Sequence, residues 1–348
     1  MGSLREAKIY MSVEKSLLKS PQSNLPVVSY IATGGTIAMR ETESSGGPVP
    51  AIQGLDLVSQ SSDLSRYGSI EVDDFSNIPS AHVGPKNWIA LQRHIVDVLA
   101  REDVAGVIVS HGTDTMEETA FFLDLTLNSS KPVILFGAQR SASDENGDGP
   151  GNLLSALRVA VSADARDKGV MIVVNQQISA ARDVSKTHTT DIDSFQSGDN
   201  GFLGYVNNDQ VVFNRSPERR CTFALHTEEL CRVDIVSMFA GADDLTIKAA
   251  IAAGASGLVI QALGAGNVNP VLCSAIREAI EGGVKVVIAS RVPRGSAKPV
   301  YGYSGGGQNL AQIGAVFAND LSPQKARILL MLALQENLET QSLEQIFR

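Results

Sequence analysis

Short apolar runs recur along this chain between polar, glycine-bearing stretches, and their spacing predicts alternating strands and helices. Residues 27–32, 104–109, 132–136 and 169–174 are brief and rich in β-branched side chains, the pattern of strands buried on both faces. A further strand is expected over 70–75 and a hairpin over 203–213. Trp88, Leu91, Ile95 and Leu99 repeat at helical spacing over 85–99, and Leu153, Leu154, Leu157 and Val161 mark another helix. Strands alternating with helices predict an α/β fold whose larger N-terminal domain holds a mostly parallel sheet flanked by helices.

The pattern restarts on a smaller scale after residue 231. Strands are expected over 233–236, 257–260 and 284–288, with helices between them. Gly254 follows an apolar helix over 245–253 where a C-terminal glycine belongs, and Ser322-Pro323 opens a terminal amphipathic helix. The expected organisation is a polar tail over 1–26, an N-terminal domain over 27–213, a charge-rich linker over 214–230 and a smaller α/β domain over 231–348. Residues 40–50, with Ser44-Ser45-Gly46-Gly47-Pro48, read as an irregular loop or lid.

Composition narrows the function more than the fold. The 348 residues are 43% hydrophobic and 19% charged, with a formal charge of −9, which describes an ordinary globular protein and disfavours nucleic acid as a partner. Cys221, Cys231 and Cys273 are odd in number and lack C-x-x-C spacing, and the five histidines form no ligand motif, so no metal or cofactor is expected. Residues 1–25 are broken by Arg5, Glu6, Lys8, Glu14, Lys15 and Lys19 and lack the apolar core of a secretion signal. The uncharged run 249–276 is interrupted by Gly254, Ser256, Gln261, Gly264 and Asn267, unlike a membrane span. A cytoplasmic location follows as the expectation.

Hydroxyls and charges gather at predicted strand ends, where open α/β sheets bind ligands. The first strand empties into Thr33-Gly34-Gly35-Thr36, and the 104–109 strand into His111-Gly112-Thr113-Asp114-Thr115. Thr115-x-x-Glu118 fits a capping box opening the next helix. Lys186 lies beyond the 169–174 strand. A threonine needs a neighbouring base to become a nucleophile, a lysine of altered environment can supply one, and glycine N–H groups can hold an oxyanion. Taken together, Thr36, Thr113, Asp114 and Lys186 suit acyl transfer from an amide or ester. The glycine loop matches neither G-x-G-x-x-G nor G-x-x-x-x-G-K-[ST], which argues against a nucleotide.

Ala32-Thr33-Gly34-Gly35-Thr36-Ile37-Ala38 and His111-Gly112-Thr113-Asp114-Thr115 resemble the two signature motifs of bacterial-type L-asparaginases and glutaminase-asparaginases. Ala181-Arg182-Asp183-Val184-Ser185-Lys186-Thr187 is similar to that family's lysine segment, and the likeness runs over 27–348. The resemblance implies hydrolysis of L-asparagine to aspartate and ammonia, with a glutaminase-asparaginase as the alternative; L-glutamine and D-asparagine are the further substrates that a looser head-group site would admit. It implies Thr36 as nucleophile and Thr113, Asp114 and Lys186 as the second catalytic group. It further assigns the substrate's α-ammonium to Asp114, its α-carboxylate to Ser80, and backbone contacts to Gly35, Gly112 and Ala138. Asn267 resembles an asparagine lent by a neighbouring subunit, and the family's habit is a homotetramer built as a dimer of dimers.

Departures from the family pattern bear on substrate choice. The loop over 40–52 has no tyrosine where the family's lid carries one, and Ala81 stands at a substrate-binding position where a glutamine is usual. Residues 294–308 offer no clear counterpart to the family's partner-subunit acidic residue. Tyr301 and Tyr303, flanking Gly302, are the candidates for a replacement phenol. A hydrolase of another aspartyl amide and a non-catalytic amino-acid sensor on the same scaffold are the competing readings.

Overall fold

The computed structural model describes residues 16–18, 25–41, 48–50, 53–59, 64–142, 144, 146–208, 210–217, 221–336, 338 and 340–347. They divide into two compact units. The first comprises residues up to 120 together with 128–197 and 201–218; the second comprises 121–127, 198–200 and everything from 219 onward.

In the first unit the described residues form a nine-stranded sheet. Its order is Ser16–Leu18, Ser69–Asp74, Val27–Ala32, Val104–Ser110, Val133–Phe136, Val170–Val174, Gln177–Ala180, Gly204–Asn207 and Gln210–Phe213. The five strands from Ser69–Asp74 to Val170–Val174 run parallel, and both flanks are antiparallel. The central strands are buried along nearly their whole length, as near-continuous apolar runs require when both faces are covered.

The helix Pro85–Leu99 forms where its stripe predicts. Gly84 precedes it, Pro85 sits at its first turn, and Trp88, Leu91, Ile95 and Leu99 are buried. Ile95 is fully enclosed, so Ile95→Ala would cost about 2–5 kcal/mol. The helix Gly149–Val161 starts four residues ahead of Leu153, the first residue of its predicted stripe, because Pro150 fits a first helical turn and Asp148 is held beforehand. The Asp148 carboxylate accepts the backbone N–H groups of Gln139 and Arg140.

Two expectations need correction, and one strand was not expected. Ser16–Leu18, assigned to a loose tail, is an edge strand paired with Ser69–Asp74; residues 1–15 and 19–24 lie outside the described residues. The segment 40–50, read as irregular, has ordered arms: Met39–Glu41 pairs antiparallel with Pro48–Pro50. Alternate register positions of a short ribbon tolerate proline because only every second N–H is needed. The 42–47 tip of the expected lid lies outside the described residues. Finally, Gln177–Ala180 inserts an antiparallel strand between Val170–Val174 and the lysine segment, turned by Asn175 and Gln176 at φ 49° and 62°.

The second unit carries its own parallel sheet, ordered Val233–Ser237, Gly257–Ala262, Lys285–Ser290 and Val316–Phe317. Its helices include Leu245–Ala252, Pro270–Glu281 and Pro323–Gln335. Side chains of Asn269 and Ser322 accept N–H bonds at the starts of the latter two, with proline next in each case. Gly254 takes φ +85° after Leu245–Ala252, the left-handed conformation that ends helices.

Candidate active site

Two neighbouring strands deliver the two motif loops to one edge of the first sheet. Ala32 and Ser110 are register partners at the carboxyl ends of Val27–Ala32 and Val104–Ser110. Thr33 then ties the loops together, since its N–H and its hydroxyl both donate to the Ser110 carbonyl, at 3.2 and 2.6 Å.

Beyond that tie the chains touch through glycines. Gly35, at φ +91°, lies so close to Gly112 that a Cβ there would stand 2.3 Å from the Gly112 nitrogen. A Cβ on Gly112 would stand 2.6 Å from Ser80 Oγ, and the Thr115 hydroxyl donates to the Ser80 carbonyl. Only glycine fits either position. Thr36, half-buried, opens the 3₁₀ turn Thr36–Ala38 directly after Gly35. Thr113, buried, directly follows Gly112. The third loop closes in from Val133–Phe136: the His111 N–H donates to the Phe136 carbonyl. A Cβ on Gly137 would meet the His111 carbonyl and lie 3.3 Å from Thr113 Cγ2. Ala138 beside it is buried, whereas Ala81, next to Ser80, is exposed.

Lys186 arrives from a short antiparallel pair, Ser185–Lys186 with Phe195–Gln196. Its ammonium donates to Thr113 Oγ1 at 2.9 Å and to Asp114 Oδ1 at 2.8 Å. Asp114 is largely exposed, so it has room for a second, cationic partner. The Lys186 backbone N–H donates to the Glu117 carboxylate at 2.5 Å. Glu117 escaped the sequence reading; its place in the first turn of the helix Met116–Thr126, three residues beyond Asp114, was the available signal.

His111 is a second residue the sequence reading left without a role. It is buried within the motif, and burial pushes its imidazole down to about 4, so it is neutral at ordinary pH. The sequence-chosen residues Gly35, Thr36, Ser80, Gly112, Thr113, Asp114, Ala138 and Lys186 thus belong to one cluster of loops in the first unit. Asn267 belongs to the second unit, where its Oδ1 is buried without a hydrogen-bond partner among the described residues. Tyr301 and Tyr303 also lie there, exposed and stacked with ring centres 5.7 Å apart. Among the described residues no group of three or more His, Cys, Asp or Glu side chains could hold a metal.

Comparison with known proteins matches the same architecture. The family model for the asparaginase N-terminal domain covers residues 27–219, and that for the glutaminase/asparaginase C-terminal domain covers 232–347. L-asparaginase 2 of Escherichia coli is 36% identical over 330 residues, covering 93% of each chain. A probable periplasmic L-asparaginase of Haemophilus influenzae is 35% identical, again over 93% of each chain. The crystal structure of a probable cytoplasmic L-asparaginase from Campylobacter jejuni superposes with a TM-score of 0.85 at 34% identity, over 92% of this chain and 99% of that one.

Proposed function

The chain belongs to the asparaginase family of amidohydrolases, and from that we propose that it hydrolyses the side-chain amide of L-asparagine with Thr36 as nucleophile. The observation that carries this reading is Lys186 Nζ bridging Thr113 Oγ1 and Asp114 Oδ1 beside the Gly35–Gly112 contact. It joins a hydroxyl, a carboxylate and a cation at the loops where a second threonine opens its own turn.

In this account Thr36 Oγ1 attacks the amide carbonyl carbon, and backbone N–H groups near Gly35 and Gly112 hold the developing oxyanion. The carbon–nitrogen bond breaks, and the proton lost from the Thr36 hydroxyl leaves on ammonia. Water then cleaves the aspartyl ester, releasing aspartate and restoring the threonine hydroxyl. Because Lys186 donates to the Thr113 oxygen, the Thr113 O–H is free to point at substrate. Asp114 turns from Lys186 to the substrate's α-ammonium, leaving Lys186 and Thr113 to exchange protons as a hydroxyl–base pair. Ser80 and Ala81 flank the α-carboxylate, with Ala138 as a backbone contact.

A second reading is favoured by Ala81, whose exposed methyl offers the amino-acid head group no hydrogen bond. Fewer polar contacts reject analogues less strongly, which extends the substrates to L-glutamine and D-asparagine. A homotetramer in which Asn267 serves a neighbour's site, and a cytoplasmic location, belong to the same proposal. For the location, one relative is named cytoplasmic while another is named periplasmic.

An ammonia-release assay across L-asparagine, L-glutamine, D-asparagine and β-aspartyl peptides tests the assignment. L-Asparagine should be the best substrate, with the others within about a thousandfold in kcat/KM. Saturable asparagine binding in a calorimeter with no ammonia released would identify a sensor instead.

A further inference from the structure

We propose that Trp88, Thr119 and His111 form a buried, one-directional hydrogen-bond relay that fixes the Gly112–Thr113 peptide and aims the Thr113 N–H away from the core as a substrate-facing donor. Trp88 Nε1 lies 3.0 Å from Thr119 Oγ1, Thr119 Oγ1 lies 2.9 Å from His111 Nε2, and His111 Nδ1 lies 2.8 Å from the Gly112 carbonyl. All three side chains are buried.

The direction follows from the two ends. An indole N–H can only donate and a carbonyl can only accept. Trp88 therefore donates to Thr119, and the imidazole must present an N–H at Nδ1 to the Gly112 carbonyl. The opposite neutral tautomer would set a bare Nδ1 against a carbonyl oxygen, two acceptors 2.8 Å apart. With Nδ1 protonated and the ring neutral, Nε2 is an acceptor and takes the Thr119 hydroxyl proton. Thr119 and His111 thus each accept one bond and donate one, and such chains strengthen their own bonds.

The target of the relay is a peptide plane. In a trans peptide the carbonyl and the following N–H point in opposite directions. Turning the Gly112 carbonyl toward His111 sends the Thr113 N–H the other way, and that N–H has no partner among the described residues. The same bond holds Gly112 against Gly35 and Ser80, where a small rotation would open the contact. His111 and Thr119 are in this sense positioning residues: neither touches the reacting atoms.

The kinetic arm of the test rests on the amidohydrolase reading; the spectroscopic arm does not. ¹⁵N-imidazole NMR of the full-length protein, with the His111 signal assigned by its loss in His111→Gln, should show Nδ1 protonated and Nε2 bare between about pH 5.5 and 8.5. Thr119→Val should lower kcat for asparagine by about tenfold with KM within about twofold, and Thr119→Ser should restore it. If Thr119→Val does not fold, Trp88→Phe replaces it, with an expected kcat loss of about two- to fivefold. An Nε2–H tautomer, or a folded Thr119→Val or Trp88→Phe with wild-type kcat, would overturn the relay. A wild-type protein that releases no ammonia would sink the hydrolase reading instead, while the tautomer still decides the relay.

Discussion

Gly35 and Gly112 meet backbone to backbone: a Cβ on Gly35 would lie 2.3 Å from the Gly112 nitrogen and 2.4 Å from its Cα. These glycines immediately precede Thr36 and Thr113, so their contact sets the spacing between the two hydroxyls. Gly35 also holds φ +91°, which a side chain rarely adopts.

Substitution at this contact should therefore damage both fold and turnover. Gly35→Ala is expected to cost about 2 kcal/mol or more in stability from the backbone conformation and the clash combined. Activity should fall by at least about a hundredfold, since displacement of a reacting group by 1 Å is worth that much. Gly112→Ala, whose Cβ presses mainly on the Ser80 side chain and reaches the Gly35 Cα only at 3.2 Å, should lose less stability. Thermal melts and steady-state kinetics of the two variants check the ordering.

Glu117 positions Lys186 without facing substrate. Its carboxylate accepts the Lys186 N–H, a charge-assisted bond worth about 1.5–3 kcal/mol. Glu117→Ala should lower kcat by about tenfold or more with little change in KM, whereas Glu117→Gln, which keeps an acceptor oxygen, should lose less. Equal effects of the two variants would assign Glu117 a role through its charge alone.

The neutral His111 makes stability depend on pH in a defined window. Its folded-state value of about 4 lies below the 6.5 of a free imidazole, so between these limits the unfolded chain binds a proton that the folded chain refuses. The contribution is complete above about pH 6.5, declines as pH falls toward 4, and totals about 3 kcal/mol. Denaturant melts from pH 7 to 4 should show this loss, and His111→Gln should flatten it.

Much of the fold was legible because it rests on local pattern. The Trp88–Leu99 stripe, the β-branched runs and Ser322-Pro323 each announce an element within a few residues. The motif loops were legible as chemistry for the same reason, standing where strands end. What escaped are pairings across long stretches of chain. Lys186 meets Glu117, 69 residues earlier, and Ser185–Lys186 is a strand only because Phe195–Gln196 pairs with it. Ser16–Leu18 and Met39–Glu41 likewise have too few residues to show a period, and exist through their partners. The role of His111 was hidden differently: its donor Thr119, and Trp88 that donates to Thr119, come from two separate helices and meet it only in the folded core.

The central claim is that Thr36 carries the reaction. Ammonia release from saturating L-asparagine by a folded Thr36→Ala variant tests it most directly. The account predicts a fall of at least about a thousandfold in kcat, the scale expected when a covalent nucleophile is removed. Release at the wild-type rate would contradict it.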